Sequence, residues 1–179
     1  MSEVLFTALV ALVAVERLAE LVVSTRNAAW SLARGGVETG QRHYLVMVVL
    51  HTGLLVGALA EVWIRRPEFH PALGFAMLGV VLASQALRWW CIGTLGRRWN
   101  TRVIVVPGLP LVTAGPYRFL QHPNYVAVVL EGLALPLVHS ALITATAFTV
   151  CNAALLAVRL RVENAALRSA TAQPAGATS

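Results

Sequence analysis

The chain alternates between long apolar runs and shorter segments that carry its arginines. Runs at about 4 to 23, 44 to 63 and 72 to 92 are each near 20 residues, long enough to cross the ~30 Å hydrocarbon layer as a helix. A fourth run, 125 to 158, is too long for one crossing and is interrupted near Pro136 and His139. It divides into a short helix over 125 to 137 and a fuller one over 140 to 158, packed as a hairpin. The pattern predicts an all-α polytopic membrane protein of about five helices. A single membrane domain is expected over 1 to 170, with its chemistry at about 95 to 167, and residues 171 to 179, small and polar, read as a disordered tail.

Composition agrees with that pattern. Of 179 residues 58% are hydrophobic and only 12% charged, against about 25% charged in a typical soluble domain, and the mean hydropathy is +0.70. Every basic residue is Arg and every acidic residue Glu. The net charge of +6 does not point to nucleic acid, because the arginines flank apolar spans instead of lining one polar face. Cys91 and Cys151 lie inside apolar runs with no CxxC spacing, so they read as packing residues. The first run carries Glu16, Arg17 and Glu20 and lacks a basic leader, so it is expected to stay as the first span.

With five helices, segments 24 to 43, 93 to 124 and 159 to 179 share one side. They hold Arg26, Arg34, Arg42, Arg97, Arg98, Arg102, Arg118, Arg159, Arg161 and Arg168, whereas the other side holds Arg65 and Arg66. The positive-inside rule makes the arginine-rich side cytoplasmic, with the N-terminus outside and the C-terminus inside. The hairpin would then close over a cytoplasmic loop.

That loop, "TLGRRWNTRVIVVPGLPLVTAGPYRFLQHPNY", is the longest segment outside the spans, and long ordered loops are usually functional. Gly108, Pro110, Gly115 and Pro116 punctuate it into turns, and Pro123 suits the first turn of the helix that follows. A helix starting near Asn124 offers backbone N–H groups and a partial positive end to a carboxylate or phosphate, with Tyr117, His122 and Tyr125 beside it. The bland alternative is that Tyr and Arg here are interfacial anchors. At the end of the last span "RLRVEN" sets Arg159 and Glu163 four apart on one helix face, a solvated pair or one flank of a pocket. Within the spans Arg17 is expected to neutralise Glu20, Arg88 to pair with Glu131, and His51 to be a hydrogen-bonded helix contact. No GxGxxG, Walker A lysine or HExxH occurs, so neither a Rossmann nucleotide site nor a catalytic zinc has support. Two separated intramembrane histidines suffice for a haem only if they face each other.

At "LVTAGPYRFLQHPNY", the hairpin after it and "RLRVE" at its end, the chain resembles the isoprenylcysteine carboxyl methyltransferase family of integral membrane, S-adenosylmethionine-dependent enzymes. The resemblance covers about 95 to 167 and implies that S-adenosylmethionine is held by Leu109, Pro110, Leu111 and Val112, by Tyr117, by His122, Pro123, Asn124 and Tyr125, and by Glu163, with Arg102. It implies that Arg159 orients an anionic acceptor and that Arg159 and Glu163 are the catalytic pair. Two departures from the family pattern, Gln121 for an Arg and Asn164 for a second acid, put the local charge balance and the acceptor in question. "ERLAELVVSTRNAAWSLARGGVETGQRHYLVMVVLH" is similar to a bacterial branch whose members methylate alkylpyrone or alkylresorcinol products. It implies a small amphiphile from the bilayer rather than a prenylated protein.

Two rival readings remain at this level. HPNY after a GxxR turn also occurs in membrane lipid or sterol-type reductases that use NADPH. Those are expected to carry a Glu directly after the HPNY helix start, where this chain has Val126, Ala127 and Val128 and its first acid is Glu131. A non-catalytic membrane subunit would tolerate changes at Tyr117, His122, Arg159 and Glu163.

Overall fold

A computed structural model describes residues 1–172. Five helices dominate it: α1 Glu3–Leu32, α2 Gln41–Arg65, α3 Pro71–Leu95, α4 Pro123–Leu137 and α5 Leu142–Ala172. Among the described residues, three helical stretches are long and apolar enough to cross a membrane: His43–Arg65, Pro71–Arg98 and Leu142–Arg168. The second, third and last expected spans are thus found, whereas α1, expected to cross over 4 to 23 and carrying Glu16, Arg17 and Glu20, is not among the three. Two refinements concern the hairpin. The 15 residues of α4 reach only about 22 Å at 1.5 Å per residue, so this arm of the hairpin is too short to cross alone. Helix α5 also runs on to Ala172, past the expected end at 158 and into the first two residues assigned to the tail; residues 173–179 lie outside the described residues.

Helix α1 is longer than its expected 4 to 23 because its last turns have polar work to do. Ser24 Oγ lies 2.8 Å from Thr101 Oγ1 and accepts from the Thr101 amide at 3.0 Å. Asn27 Nδ2 donates to the carbonyls of Trp99 (2.8 Å) and Gly96 (3.1 Å). These bonds satisfy the backbone of the segment after α3 and pin it against α1. The same region holds the one feature the apolar pattern did not announce, a two-stranded antiparallel ribbon of β1 Val37–Thr39 and β2 Val103–Val105, in register Val37↔Val105, Glu38↔Ile104, Thr39↔Val103. Three-residue strands lie below the length at which alternation is readable.

The hairpin is held by close packing. Gly132 of α4 faces the ring of Phe148 on α5, leaving no room for a Cβ. After Pro136, in the last turn of α4, Ser140 takes a left-handed conformation (φ 58°) and the chain reverses. Glu61 of α2 then caps α5 by accepting from the amides of Ile143 (3.0 Å) and Thr144 (2.8 Å) and from the Thr144 hydroxyl (2.8 Å). The apolar core, built on Phe6, Val10, Val62, Val81, Leu135 and Val138, sits at this capped end of the bundle. The opposite end carries the loop.

Candidate functional site

Loop geometry decides which side chains meet. Gly108 (φ 77°) turns the chain between Val106 and Leu109, and Arg98 Nη1 donates to the Pro110 carbonyl at 2.7 Å, so the 109–112 stretch is held over the bundle. Gly115 (φ 56°) lies directly against Thr94 and Trp90 of α3, which leaves no space for a side chain. The short 3₁₀ turn Gly115–Arg118 that follows is thereby docked on α3, with Pro116 buried and Tyr117 turned inward. Burial pushes the Tyr117 hydroxyl well above its ordinary range, and the neighbouring Cys91 thiol adds to the shift, so this group stays a neutral hydrogen-bond donor.

Glu163, on α5, is the point of convergence. It accepts a short hydrogen bond from the Tyr125 hydroxyl, and its Oε1 lies 3.4 Å from His122 Nδ1. The other imidazole nitrogen, Nε2, is 3.2 Å from Asn164 Oδ1, and the ring stacks on Tyr125 at 5.5 Å between centroids. With a carboxylate and an amide oxygen as its two partners, His122 is best satisfied as an imidazolium donating from both nitrogens. The hydrogen bond to Glu163 accordingly raises its pKa above the usual 6.5, against the effect of burial. Asn164, where the family pattern leads one to expect an acid, is therefore a working partner of His122.

Arg159 lies one turn before Glu163 and is 7% exposed. Its Nη2 donates to the Thr101 carbonyl at 2.8 Å, its Nη1 contacts the Met47 sulfur at 2.9 Å, and the guanidinium lies 5.8 Å from the Tyr125 ring centroid. The Arg159 Nε hydrogen has no acceptor among the described residues. Arg102, further out, pairs with Glu38 at 3.5 Å and lies over Tyr44.

A cavity of about 810 Å³ joins these groups. Its wall includes Arg102, Leu109, Pro110, Leu111, Val112, Tyr117, His122, Asn124, Tyr125, Arg159 and Glu163. Of the residues expected at the site only Pro123 is off the wall, buried as the first residue of α4. One expectation needs correction. The start of α4 is not a cluster of open amides, because Pro123 has no N–H and the amides of Tyr125 and Val126 return to the His122 carbonyl. Asn124 alone is left to offer a first-turn amide to the cavity.

The cavity continues inward between α1, α2, α3 and α5, where charge is concentrated. Arg17 pairs with Glu20 at 2.8 Å and approaches Glu131 at 3.5 Å; Arg88 pairs with Glu131 and lies 3.5 Å from Glu20; Gln85 and Trp89 donate to Glu16. The two expected pairs are thus part of one network. His51, as expected, is a hydrogen-bonded helix contact: its Nδ1 donates to the Met47 carbonyl at 2.8 Å. His139 bonds the Met1 carbonyl at the capped end of the bundle, so the two intramembrane histidines do not face each other. Met47, Asn100, Thr101 and Asn152 also reach the cavity; they sit singly in apolar or loop sequence, and no spacing signals them.

The model of the isoprenylcysteine carboxyl methyltransferase family matches residues 77–169, half of the chain and all of the region that builds the cluster around Glu163. The chain belongs to this family. Membership supports a membrane methyltransferase in general terms. The uncharacterized protein YpbQ of Bacillus subtilis is 38% identical over 167 residues, covering 92% of this chain and 97% of its own. An uncharacterized protein of Haemophilus influenzae is 22% identical over 152 residues, 84% of this chain and 88% of its own. The chain also spans half the length of the heme-binding subunit MsrQ of the protein-methionine-sulfoxide reductase of Agrobacterium fabrum, 30% identical over 108 residues or 57% of this chain. No solved structure matches. The family region includes both departures, Gln121 and Asn164, and each lines the same cavity.

Proposed function

We propose that the protein is an S-adenosylmethionine-dependent O-methyltransferase for a lipophilic acceptor dissolved in the membrane. One observation carries this reading: a single cavity runs from the polar cluster of Glu163, His122 and Tyr125 at the loop, past apolar side chains such as Leu21, Val48, Leu55 and Leu156, into the interior between the helices. A water-soluble donor and a lipid-soluble acceptor need such a shared chamber.

The residues present fit the cofactor. The volume lies within the ~300 to 1,000 Å³ of small-molecule sites, and buried atoms without partners, Asn124 Oδ1 and both amide atoms of Asn100, lie in a wall that also holds Glu163. Glu163 would receive hydroxyl or ammonium donors, the Asn124 amide a carboxylate, and the Leu109 to Val112 stretch the flat apolar part. Arg102, at the rim, supplies a second cation for the carboxylate end. S-adenosylmethionine supplies a methyl group on a sulfonium, a centre attacked in line by an oxygen. The protein's contribution is alignment and exclusion of water, and orientation alone is worth ~7 to 11 kcal/mol.

Arg159 holds the acceptor oxygen. Its guanidinium is braced by the Thr101 carbonyl and keeps Nε–H available, so a carboxylate or an acidic ring hydroxyl is received as the anion and no strong base is needed. The acceptors that suit this arrangement are a prenylcysteine-like carboxylate or the acidic hydroxyl of an alkylpyrone or alkylresorcinol. The cofactor loop and C-terminus lie in the cytoplasm of a bacterial cell and the N-terminus outside, on the arginine distribution.

The test is titration of the detergent-purified protein with S-adenosylmethionine, S-adenosylhomocysteine and NADPH by calorimetry. Binding of the first two and not the third is expected. Binding of NADPH alone would move the protein to the reductases, and a folded sample that binds none of them would leave a non-catalytic membrane subunit.

A further inference from the structure

The inner end of the cavity is more polar than alignment of a hydrocarbon tail requires. Glu20 is 3% exposed, Arg88 5% and Asn152 2%, yet all three line the cavity, together with Arg17 and His51. They come from α1, α3, α5 and α2, so four helices bring buried polar groups to the wall of one cavity. Four of these residues keep atoms that find no hydrogen-bond partner among the described residues: Arg17 Nε, Glu20 Oε1, Arg88 Nε and Asn152 Oδ1. Arg88 Nε approaches Glu20 Oε1 only to 3.5 Å. Unpaired buried groups of this kind are costly, and native interiors rarely tolerate four of them along one cavity without a ligand.

The chemistry of the unpartnered atoms specifies what they would take. Two are oxygens that need donors, on Glu20 and Asn152, and two are N–H groups that need acceptors, on Arg17 and Arg88. The charges are unequal as well, since Glu16, Glu20 and Glu131 face Arg17 and Arg88. An anion arriving there would meet a surplus carboxylate, whereas a neutral hydroxyl would donate to Glu20 or Asn152 and accept from Arg88. The position is distinct from that of Arg159. Asn152 lies seven residues before it on α5, two helical turns or about 10 Å deeper in the bundle.

We infer that the inner end of the cavity is a recognition subsite for a neutral, hydroxyl-bearing part of the acceptor, formed by Glu20, Arg88 and Asn152. It rests on the methyltransferase reading for the word acceptor. The site itself stands on the orphaned groups. A plain hydrocarbon group would leave all three unsatisfied, so the subsite selects for oxygenated amphiphiles.

The test is direct binding, without turnover. Isothermal titration of the full-length protein in nanodiscs would compare a long-chain alkylresorcinol with an alkylbenzene of the same chain, and S-adenosylhomocysteine would be titrated into the same samples. We expect the alkylresorcinol to bind about tenfold or more tightly than the alkylbenzene, and this preference to vanish in Asn152→Leu and in Glu20→Gln while S-adenosylhomocysteine affinity stays within about twofold. Asn152 lies outside the ion network, so its variant carries the test even if Glu20→Gln fails to fold. Equal affinity for the two probes, no binding of either, or a preference that survives Asn152→Leu would overturn the subsite. Loss of S-adenosylhomocysteine binding in the wild-type protein would instead count against the methyltransferase reading and leave the probe comparison intact.

Discussion

Glu163 and His122 make the site pH-sensitive in a defined direction. The His122 pKa is raised above its ordinary 6.5 by the hydrogen bond to Glu163, so the pair contributes fully below that ordinary value and its contribution is lost as pH rises through the raised one. Where the cofactor depends on that pair, affinity for S-adenosylhomocysteine should weaken as pH rises above 6.5 in the wild type, and His122→Gln should flatten that profile; calorimetry at a series of pH values checks it. Glu163→Gln keeps the shape and the Tyr125 contact but removes the charge. Since hydrogen bonds to charged groups are worth ~1.5 to 3 kcal/mol, affinity should fall about tenfold to a hundredfold, with the protein still monodisperse in detergent. Unchanged affinity would remove Glu163 from the cofactor's contacts.

Between elements, two devices set the bundle. Arg88 on α3 reaches Glu131 on α4 and Glu20 on α1, both buried. Removing one partner leaves an uncompensated charge, so Arg88→Met should cost ~3 to 5 kcal/mol, and pairing it with Glu131→Leu should recover part of the loss. Thermal unfolding in detergent, followed by circular dichroism, reads both. The hairpin depends on Gly132, where any Cβ would enter the Phe148 ring. Gly132→Ala is expected to destabilise by ~1 to 3 kcal/mol through overpacking, and Phe148→Leu in the same chain to relieve it.

At the scale of the molecule, the orientation proposed from the arginines is open to a direct test. In a chain with Cys91 and Cys151 replaced, a single cysteine at Glu68, exposed in the α2–α3 link, should react with a membrane-impermeant maleimide on intact cells. One at Ala114, exposed in the loop, should react only after the membrane is opened. The reverse pattern would invert the topology and place the cavity mouth away from the cytoplasmic cofactor pool.

Much of this architecture is determined by the sequence alone. Apolar runs of spanning length, the break at Pro136 and the bias of arginine among the connecting segments each follow from the cost of exposing backbone or charge to hydrocarbon, a cost that acts residue by residue along the chain. Glycine and proline likewise mark the turns of the loop, and the spacing of Arg159 and Glu163 puts them one turn apart. Only the tertiary structure decides which groups meet across elements. The extension of α1 to grip Trp99 and Thr101, the pairing of Val37–Thr39 with Val103–Val105, and the use of Asn164 as a partner for His122 depend on helices packing side by side. So does the convergence of Glu20, Arg88 and Asn152 on one cavity. Contacts between residues forty or more positions apart leave no periodicity in a single chain, because their energy arises only when separate helices desolvate one another.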